Sequence, residues 1–166
     1  MKKFDIDCQA VIMCGVSGSG KTHRARILEQ KGFIRVSADS ILWEKVGDNL
    51  YSLPKKEQKE LFKDCRLRIL KQFTELLNSG YKTVLDATNC KRSVRDEIRR
   101  ICHKAGASHV FLYCEADEEK LWNRLKLRKG EGPDDLLVSR EELSEYIKGF
   151  EYPQDDETDV LVIKLL

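Results

Sequence analysis

Residues Gly15-Val16-Ser17-Gly18-Ser19-Gly20-Lys21-Thr22 carry the spacing G-x-x-x-x-G-K-[ST] directly behind the apolar run Ala10–Cys14. A buried strand, a glycine-rich turn and a helix start form the setting in which backbone N–H groups close around phosphate oxygens. The glycines supply φ values that other residues avoid, and the helix N-terminus adds donors and partial positive charge. In such a loop the lysine reaches the β- and γ-phosphates of a nucleoside triphosphate, here Lys21, and the hydroxyl of Thr22 ligates Mg²⁺.

Two carboxylates follow at the ends of apolar runs. Asp39, in Val36-Ser37-Ala38-Asp39-Ser40, is placed either to take a proton from an attacking hydroxyl or to cap the helix through Ile41, Leu42 and Trp43. Asp86, in Val84-Leu85-Asp86-Ala87-Thr88-Asn89, suits the metal side of a phosphate site better than a plain strand-exit turn. Arg124 and Arg128 stand four apart on the expected helix face before Gly130-Glu131-Gly132-Pro133, where a closing lid could bring both guanidiniums to a transferring phosphoryl group. Lys120, Lys126 and Lys129 read as a solvated basic face. The cluster Lys91, Arg92, Arg95, Arg99 and Arg100 could meet a polyanion, or could be a helix face neutralised beside Asp96 and Glu97. It has no aromatic interleaving of the kind that stacks single strands.

These residues need a parallel sheet to hold them. Apolar runs at Gln9–Cys14, Phe33–Ser37, Lys82–Asp86, His109–Cys114 and 160–165 read as strands, several apolar on both faces. Helical stretches alternate with them: from the loop to Lys31-Gly32, Pro54 to Asn78, Ser93 to Ala105, Asp117 to Lys129, and Ser139 to Phe150. The buried stripes expected are Leu61, Cys65, Ile69, Phe73 and Leu76 on the second, and Val94, Ile98, Ile101 and Ala105 on the third. Strand–helix alternation implies an α/β fold with helices on both faces of the sheet.

The length of 166 residues suits one domain, with a lid over about 124–140. Hydrophobic residues at 41% and charged residues at 35% exclude a disordered chain. A net charge of +2, from 30 basic and 28 acidic residues, gives no global field for nucleic acid. The six cysteines contain no C-x-x-C pair and read as reduced core residues of a cytoplasmic protein. Cys102-His103 lacks the partners of a zinc site. Met1-Lys2-Lys3 resembles a signal-peptide start, but its short apolar sequel runs straight into the loop, so a cleaved leader is not expected. No run is long enough for a membrane span.

The ordered set G-x-S-G-S-G-K-T, Asp39, D-A-T-N at Asp86–Asn89, and R-x-x-x-R at Arg124–Arg128 resembles the small P-loop kinases. It is most similar to the AAA-type ATP-binding group that includes the kinase domains of polynucleotide 5′-hydroxyl kinases. The stretch Val138-Ser139-Arg140-Glu141-Glu142 with Phe150-Glu151-Tyr152-Pro153 extends the likeness over nearly the whole chain. The resemblance implies a three-layer α/β/α fold with a five-stranded parallel sheet in the order 2-3-1-4-5. It also implies ATP phosphates and Mg²⁺ at Gly15–Thr22, a base at Asp39 and phosphate-stabilising lid arginines at Arg124 and Arg128. Thr88, Asn89 and Arg95 join Asp39 as positions expected to meet the acceptor. Polynucleotide kinases of this group carry an arginine three residues after the base, where this chain has Leu42. The loop also resembles that of gluconate kinases, without the histidine-containing substrate motif that follows the aspartate there.

The leading expectation is therefore an ATP- and Mg²⁺-dependent kinase acting on a hydroxyl, either a polynucleotide 5′ end or a small metabolite or nucleoside. The rival is a stand-alone regulatory ATPase or nucleotide-binding module. The lack of N-K-x-D and of D-x-x-G after the third strand argues against a GTPase, and the chain is short for a mechanical AAA+ machine with its helical second domain.

Overall fold

The computed structural model describes residues 6–164. Five strands, β1 (Ala10–Cys14), β2 (Ile34–Ser37), β3 (Thr83–Asp86), β4 (His109–Glu115) and β5 (Val160–Lys164), form one sheet in the order β2-β3-β1-β4-β5. Every pairing is parallel. The order expected from the family resemblance holds. The Met1-Lys2-Lys3 start and the expected strand end at Leu165 lie outside the described residues.

β1 lies at the centre, with every residue from Ala10 to Cys14 at 0% exposure. Its alternating side chains divide the core. Ala10 and Ile12 face helices α2 (Ala38–Val46), α3 (Lys55–Asn78) and α4 (Arg92–Lys104) through Leu42, Ile69, Phe73 and Ile98. Val11 and Met13 face helix α1 (Lys21–Gln30) through Ala25 and Leu28. Burial on both faces is why the sequence of this strand is continuously apolar rather than alternating. Each large apolar side chain fully enclosed there contributes roughly 1.5–3 kcal/mol. In α3 the buried row runs Cys65, Ile69, Phe73 and Leu77, so Leu77 rather than Leu76 closes the stripe, four residues beyond Phe73.

A smaller cluster joins helix α5 (Glu118–Leu125) to helix α6 (Arg140–Gly149) through Leu121, Leu125, Val138 and Leu143. Ser139 caps α6: its hydroxyl accepts from the Glu142 N–H while the Glu142 carboxylate accepts from the Ser139 N–H. Here the structure departs from the sequence reading. α5 stops at Leu125, not near Lys129, so Arg128 lies past the helix end. The competing attraction is Asp135, whose Oδ2 accepts the backbone N–H groups of Lys129, Gly130 and Glu131 at 2.9, 2.9 and 3.3 Å. A helix continuing through 129 could not turn those donors to one carboxylate. No helix among the described residues is long and apolar enough to cross a membrane.

The register aligns Ser37 of β2 with Asp86 of β3. The segments that follow β1, β2 and β3 therefore leave the same edge of the sheet, where ligands bind in open parallel α/β folds.

Candidate functional site

At this edge the glycine loop passes from Cys14 to Lys21 and opens α1. Gly15 has φ 141°, and a Cβ there would come within 2.8 Å of both the Cys114 carbonyl oxygen and Ser19 Oγ. Gly18 has φ 82° and lies against α5, where a Cβ would meet Leu125 Cγ at 3.1 Å. Only glycine fits either position without strain. α1 starts with no side-chain cap, so its first N–H groups face the loop without a protein carboxylate or hydroxyl upon them. Ser19 Oγ is buried and has no hydrogen-bond partner among the described residues. An orphan hydroxyl inside a ring of glycines is the kind of group an anion would satisfy. Lys21 is 8% exposed, and its ammonium folds back to donate to the Val16 carbonyl at 2.9 Å.

The loop borders a cavity of about 250 Å³ whose walls carry Thr22, Asp39, Asp86, Thr88, Arg124 and Arg128. Asp39 stands in the first turn of α2, and the capping role open to it from sequence belongs to Ser37, whose Oγ accepts the Ser40 N–H at 3.2 Å. Its carboxylate is thus left to the cavity. Burial pushes the Asp39 pKa up to about 6, with Asp86 raising it further while Lys21 and Arg128 pull it down.

Asp86 is buried at the end of β3. Arg35 donates to its Oδ2 through Nε at 2.9 Å and Nη2 at 2.7 Å. Both bonds fall on Oδ2, so Oδ1 is the oxygen that would meet a cation. Thr22 and Asp86 share the cavity and offer hard oxygen donors, which fits Mg²⁺ held by one or two protein ligands, phosphates and water. Among the described residues no cluster of three or more His, Cys, Asp or Glu could hold a metal by itself.

Arg124 and Arg128 are not a helical pair. Arg124 lies in the last turn of α5, while Arg128 is turned back in the following loop and donates to the Leu136 carbonyl at 2.9 Å. Both still reach the same cavity wall. Asp134 joins them there, a residue the sequence reading passed over as part of a Gly-Pro loop. It accepts from Arg35 Nη2 at 2.7 Å and is also paired with Arg26. The one available signal for Arg35 was a charge inside an otherwise apolar short strand, opposite a strand ending in Asp.

The acceptor-side expectations divide. Thr88 borders the cavity, and its carbonyl accepts the Gly15 N–H at 3.0 Å. Asn89 is buried with φ 48°, and its side chain donates to the Met13 carbonyl at 2.7 Å, so it braces the loop after β3 against β1. Arg95 is enclosed rather than turned to either the loop cavity or solvent. Its side chain is at 0% exposure, paired with Glu157 through two 2.8 Å bonds, with a third at 3.2 Å to the Asn89 carbonyl. Burial works against charge on Glu157, but hydrogen bonds from Arg95 and Arg99 outweigh it and hold its pKa down to about 2. Three more members of that basic cluster are matched: Lys91 pairs with Glu151, Arg92 with Asp96 and Asp156, and Arg99 with Asp96 and Asp159, while Arg100 is exposed. The polyanion reading of this patch gives way to a structural ion network, because the acidic segment before β5 folds over it.

A glycine loop of G-x-x-x-x-G-K-T spacing after the central strand, with acids after β2 and at the end of β3 beside it, defines a P-loop nucleotide-binding protein of kinase-like fold. The chain belongs to the AAA domain family, whose model matches residues 11–153. Among solved structures it is similar to a gluconokinase from Sinorhizobium meliloti 1021, at TM-score 0.65 and 22% identity over 93% of this chain and 81% of that one. It is also similar to Chaetomium thermophilum Kti12 in complex with ADP-AlF3, at TM-score 0.71 and 18% identity over 93% and 88%. At those identities the likeness is one of fold. A curated relative, the Protein KTI12 homolog of Arabidopsis thaliana, is 24% identical over 154 residues, 87% of this chain. The chain spans 47% of that relative's length.

Proposed function

We propose that the protein is an ATP-dependent kinase that transfers the γ-phosphoryl group to a hydroxyl acceptor. The observation that carries this reading is the place of Asp39: its carboxylate faces the phosphate-loop cavity and also a second cavity beyond it. A hydrolase needs only water on that side, whereas a formed second cavity beside a base suits an organic acceptor.

The loop N–H groups and Lys21 hold the triphosphate, and Lys21 exchanges its bond to Val16 for phosphate oxygens. Mg²⁺, held by Thr22 and Asp86, would neutralise phosphate charge. Asp39 takes the proton of the acceptor hydroxyl as its oxygen bonds to the γ-phosphorus. The bond from that phosphorus to the β–γ bridging oxygen breaks, and its electron pair leaves with ADP. The proton passes from Asp39 to water, so ATP and alcohol become ADP, a phosphomonoester and one proton. Arg124 and Arg128 approach the transferring oxygens from the lid, which spans about residues 124–140. The buried thiols at Cys14, Cys65, Cys102 and Cys114 suit a reducing, cytoplasmic setting.

The experiment is ADP formation from labelled ATP, with and without a panel of hydroxyl acceptors. Acceptor-stimulated ADP with label in a stable phosphomonoester is expected. Fast, saturating hydrolysis that no acceptor changes would instead favour a regulatory ATPase, the reading to which the likeness to Kti12 with ADP-AlF3 lends support.

A further inference from the structure

The two cavities that meet at Asp39 differ in kind. The phosphate-loop side is lined by ionic groups of both signs, among them Lys21, Asp86, Arg124 and Arg128. The far side, about 320 Å³, is walled by α2, α3, α4 and α6 and by Leu42, Phe62, Ile69, Val94 and Phe150. Ser17, Asp39, Ala87 and Thr88 border both, so the carboxylate stands at the doorway between them. We infer that the far cavity is the acceptor site and that it takes an uncharged alcohol whose hydroxyl is carried on an aromatic or branched aliphatic body.

Charge on the walls decides the class. Among the described residues lining the far cavity, Arg66 is the one cation, and it is paired with Glu97 and half exposed at the rim. Leu42, one turn beyond Asp39 and 3% exposed, fills the position from which a basic side chain could have met a phosphate. A 5′-terminal nucleotide would bring its first phosphodiester into this apolar space, where an unpaired charge costs several kcal/mol. A polyol fares little better, since each buried hydroxyl needs a partner and the far cavity offers few beyond the Asp39 end. Tyr51 and Tyr146 close another side with their hydroxyls 2.7 Å apart, one donating to the other, which leaves a single phenol O–H to donate. Burial raises the pKa of both phenols, Tyr146 to about 12, so this wall stays neutral. The volume lies at the small end of ligand pockets, roughly 300–1,000 Å³, and suits one or two rings.

This inference rests on the phosphotransfer reading for the role of the occupant, but not for its binding. Both are measured together. 2-Phenylethanol and 4-phenylbutanol are compared with glycerol, gluconate and a 5′-hydroxyl oligonucleotide. One readout is ADP formation from ATP with Mg²⁺. The other, independent of turnover, is protection of Cys90, a half-buried cavity residue, from alkylation, followed by peptide mapping without ATP. The aryl alcohols are expected to protect Cys90 at concentrations at least about tenfold below the polyols, and to stimulate ADP formation. Cys90→Phe, which fills the cavity, should raise the aryl alcohol KM at least about tenfold and leave ATP binding unchanged. Val94→Glu serves as the second variant and should do the same by charge.

Protection by aryl alcohols without phosphorylation of any acceptor upholds the ligand class and overturns the kinase reading. Phosphorylation of glycerol, gluconate or the oligonucleotide in preference to aryl alcohols upholds the kinase and overturns the inference. No protection and no stimulation by aryl alcohols overturns the inference as well.

Discussion

Arg35 Nη2 stands 2.7 Å from Asp86 Oδ2 and 2.7 Å from Asp134 Oδ1, so a single nitrogen ties the carboxylate at the end of β3 to the loop between α5 and α6. The two bonds are unequal in setting. Asp86 is 4% exposed and Asp134 17%, with Arg35 itself at 9%. Arg35→Met strands a buried carboxylate and is expected to cost about 3–5 kcal/mol, read by urea unfolding. Asp134→Asn leaves Asp86 paired and should cost roughly 1 kcal/mol. Its main effect should be faster release of a fluorescent ADP analogue in stopped flow, because the proposed lid would lose its tie to Arg35. Equal losses from the two variants would rule out this division of labour.

Lys21 donates to one carbonyl, Val16 O at 2.9 Å, a bond that the proposed nucleotide complex would exchange for phosphate. Lys21→Ala should leave the fold intact and weaken ATP binding by on the order of 10- to 100-fold, measured by calorimetry. An unchanged affinity would mean that the loop does not grip phosphates as described.

As the proposed base, Asp39 should set the acid limb of the activity. With its pKa raised to about 6, it is ionised above that pH, so phosphotransfer should fall as pH drops through about 6. Asp39→Asn should reduce the rate roughly 10²- to 10⁴-fold. The same shift has a stability sign. A carboxyl that binds its proton more tightly when folded favours the fold below its unfolded value near 3.8, and this advantage is lost as pH rises through about 6. Asp39→Asn should therefore stabilise at pH 8 by on the order of 2 kcal/mol, roughly 4–8 °C in Tm, with the gain vanishing near pH 4. A gain that grew on acidification would refute the assignment.

The Arg95–Glu157 pair works in the opposite direction. Glu157, held down to about 2, supplies stability present above its ordinary value of 4.5 and lost as pH falls through about 2. Glu157→Gln leaves a guanidinium enclosed without its counter-charge and should cost about 3–5 kcal/mol in chemical denaturation. Arg95→Met combined with Glu157→Leu should recover most of that loss. A double variant no better than the single one would show that the cost is one of packing rather than of charge.

The glycine loop and the two acids beside it are legible in the chain because local sequence dictates their places. A G-x-x-x-x-G-K-T run must turn where its glycines turn, and Asp39 and Asp86 follow apolar runs that can only be buried strands. The strand order came with the family resemblance, since alternation alone does not rank strands. What escaped depended on contacts between distant segments. Arg35 and Asp134 are 99 residues apart in sequence, and nothing local marks either as the other's partner. Arg95 misled because charge spacing along a helix does not say what folds over it, here the segment carrying Asp156, Glu157 and Asp159. The end of α5 was misplaced for a related reason: a side chain beyond the helix, Asp135, outcompeted the helical bonds of Lys129 and Gly130.

Gly18 has a consequence beyond the phosphate. A side chain added there would press on Leu125 Cγ at 3.1 Å and the Leu121 carbonyl oxygen at 3.3 Å, and α5 is the helix that carries Arg124. The same glycine that lets the loop bend thus also lets α5 approach it. A Gly18→Ala change would therefore disturb two things at once, the curve of the loop and the seat of the arginine-bearing helix.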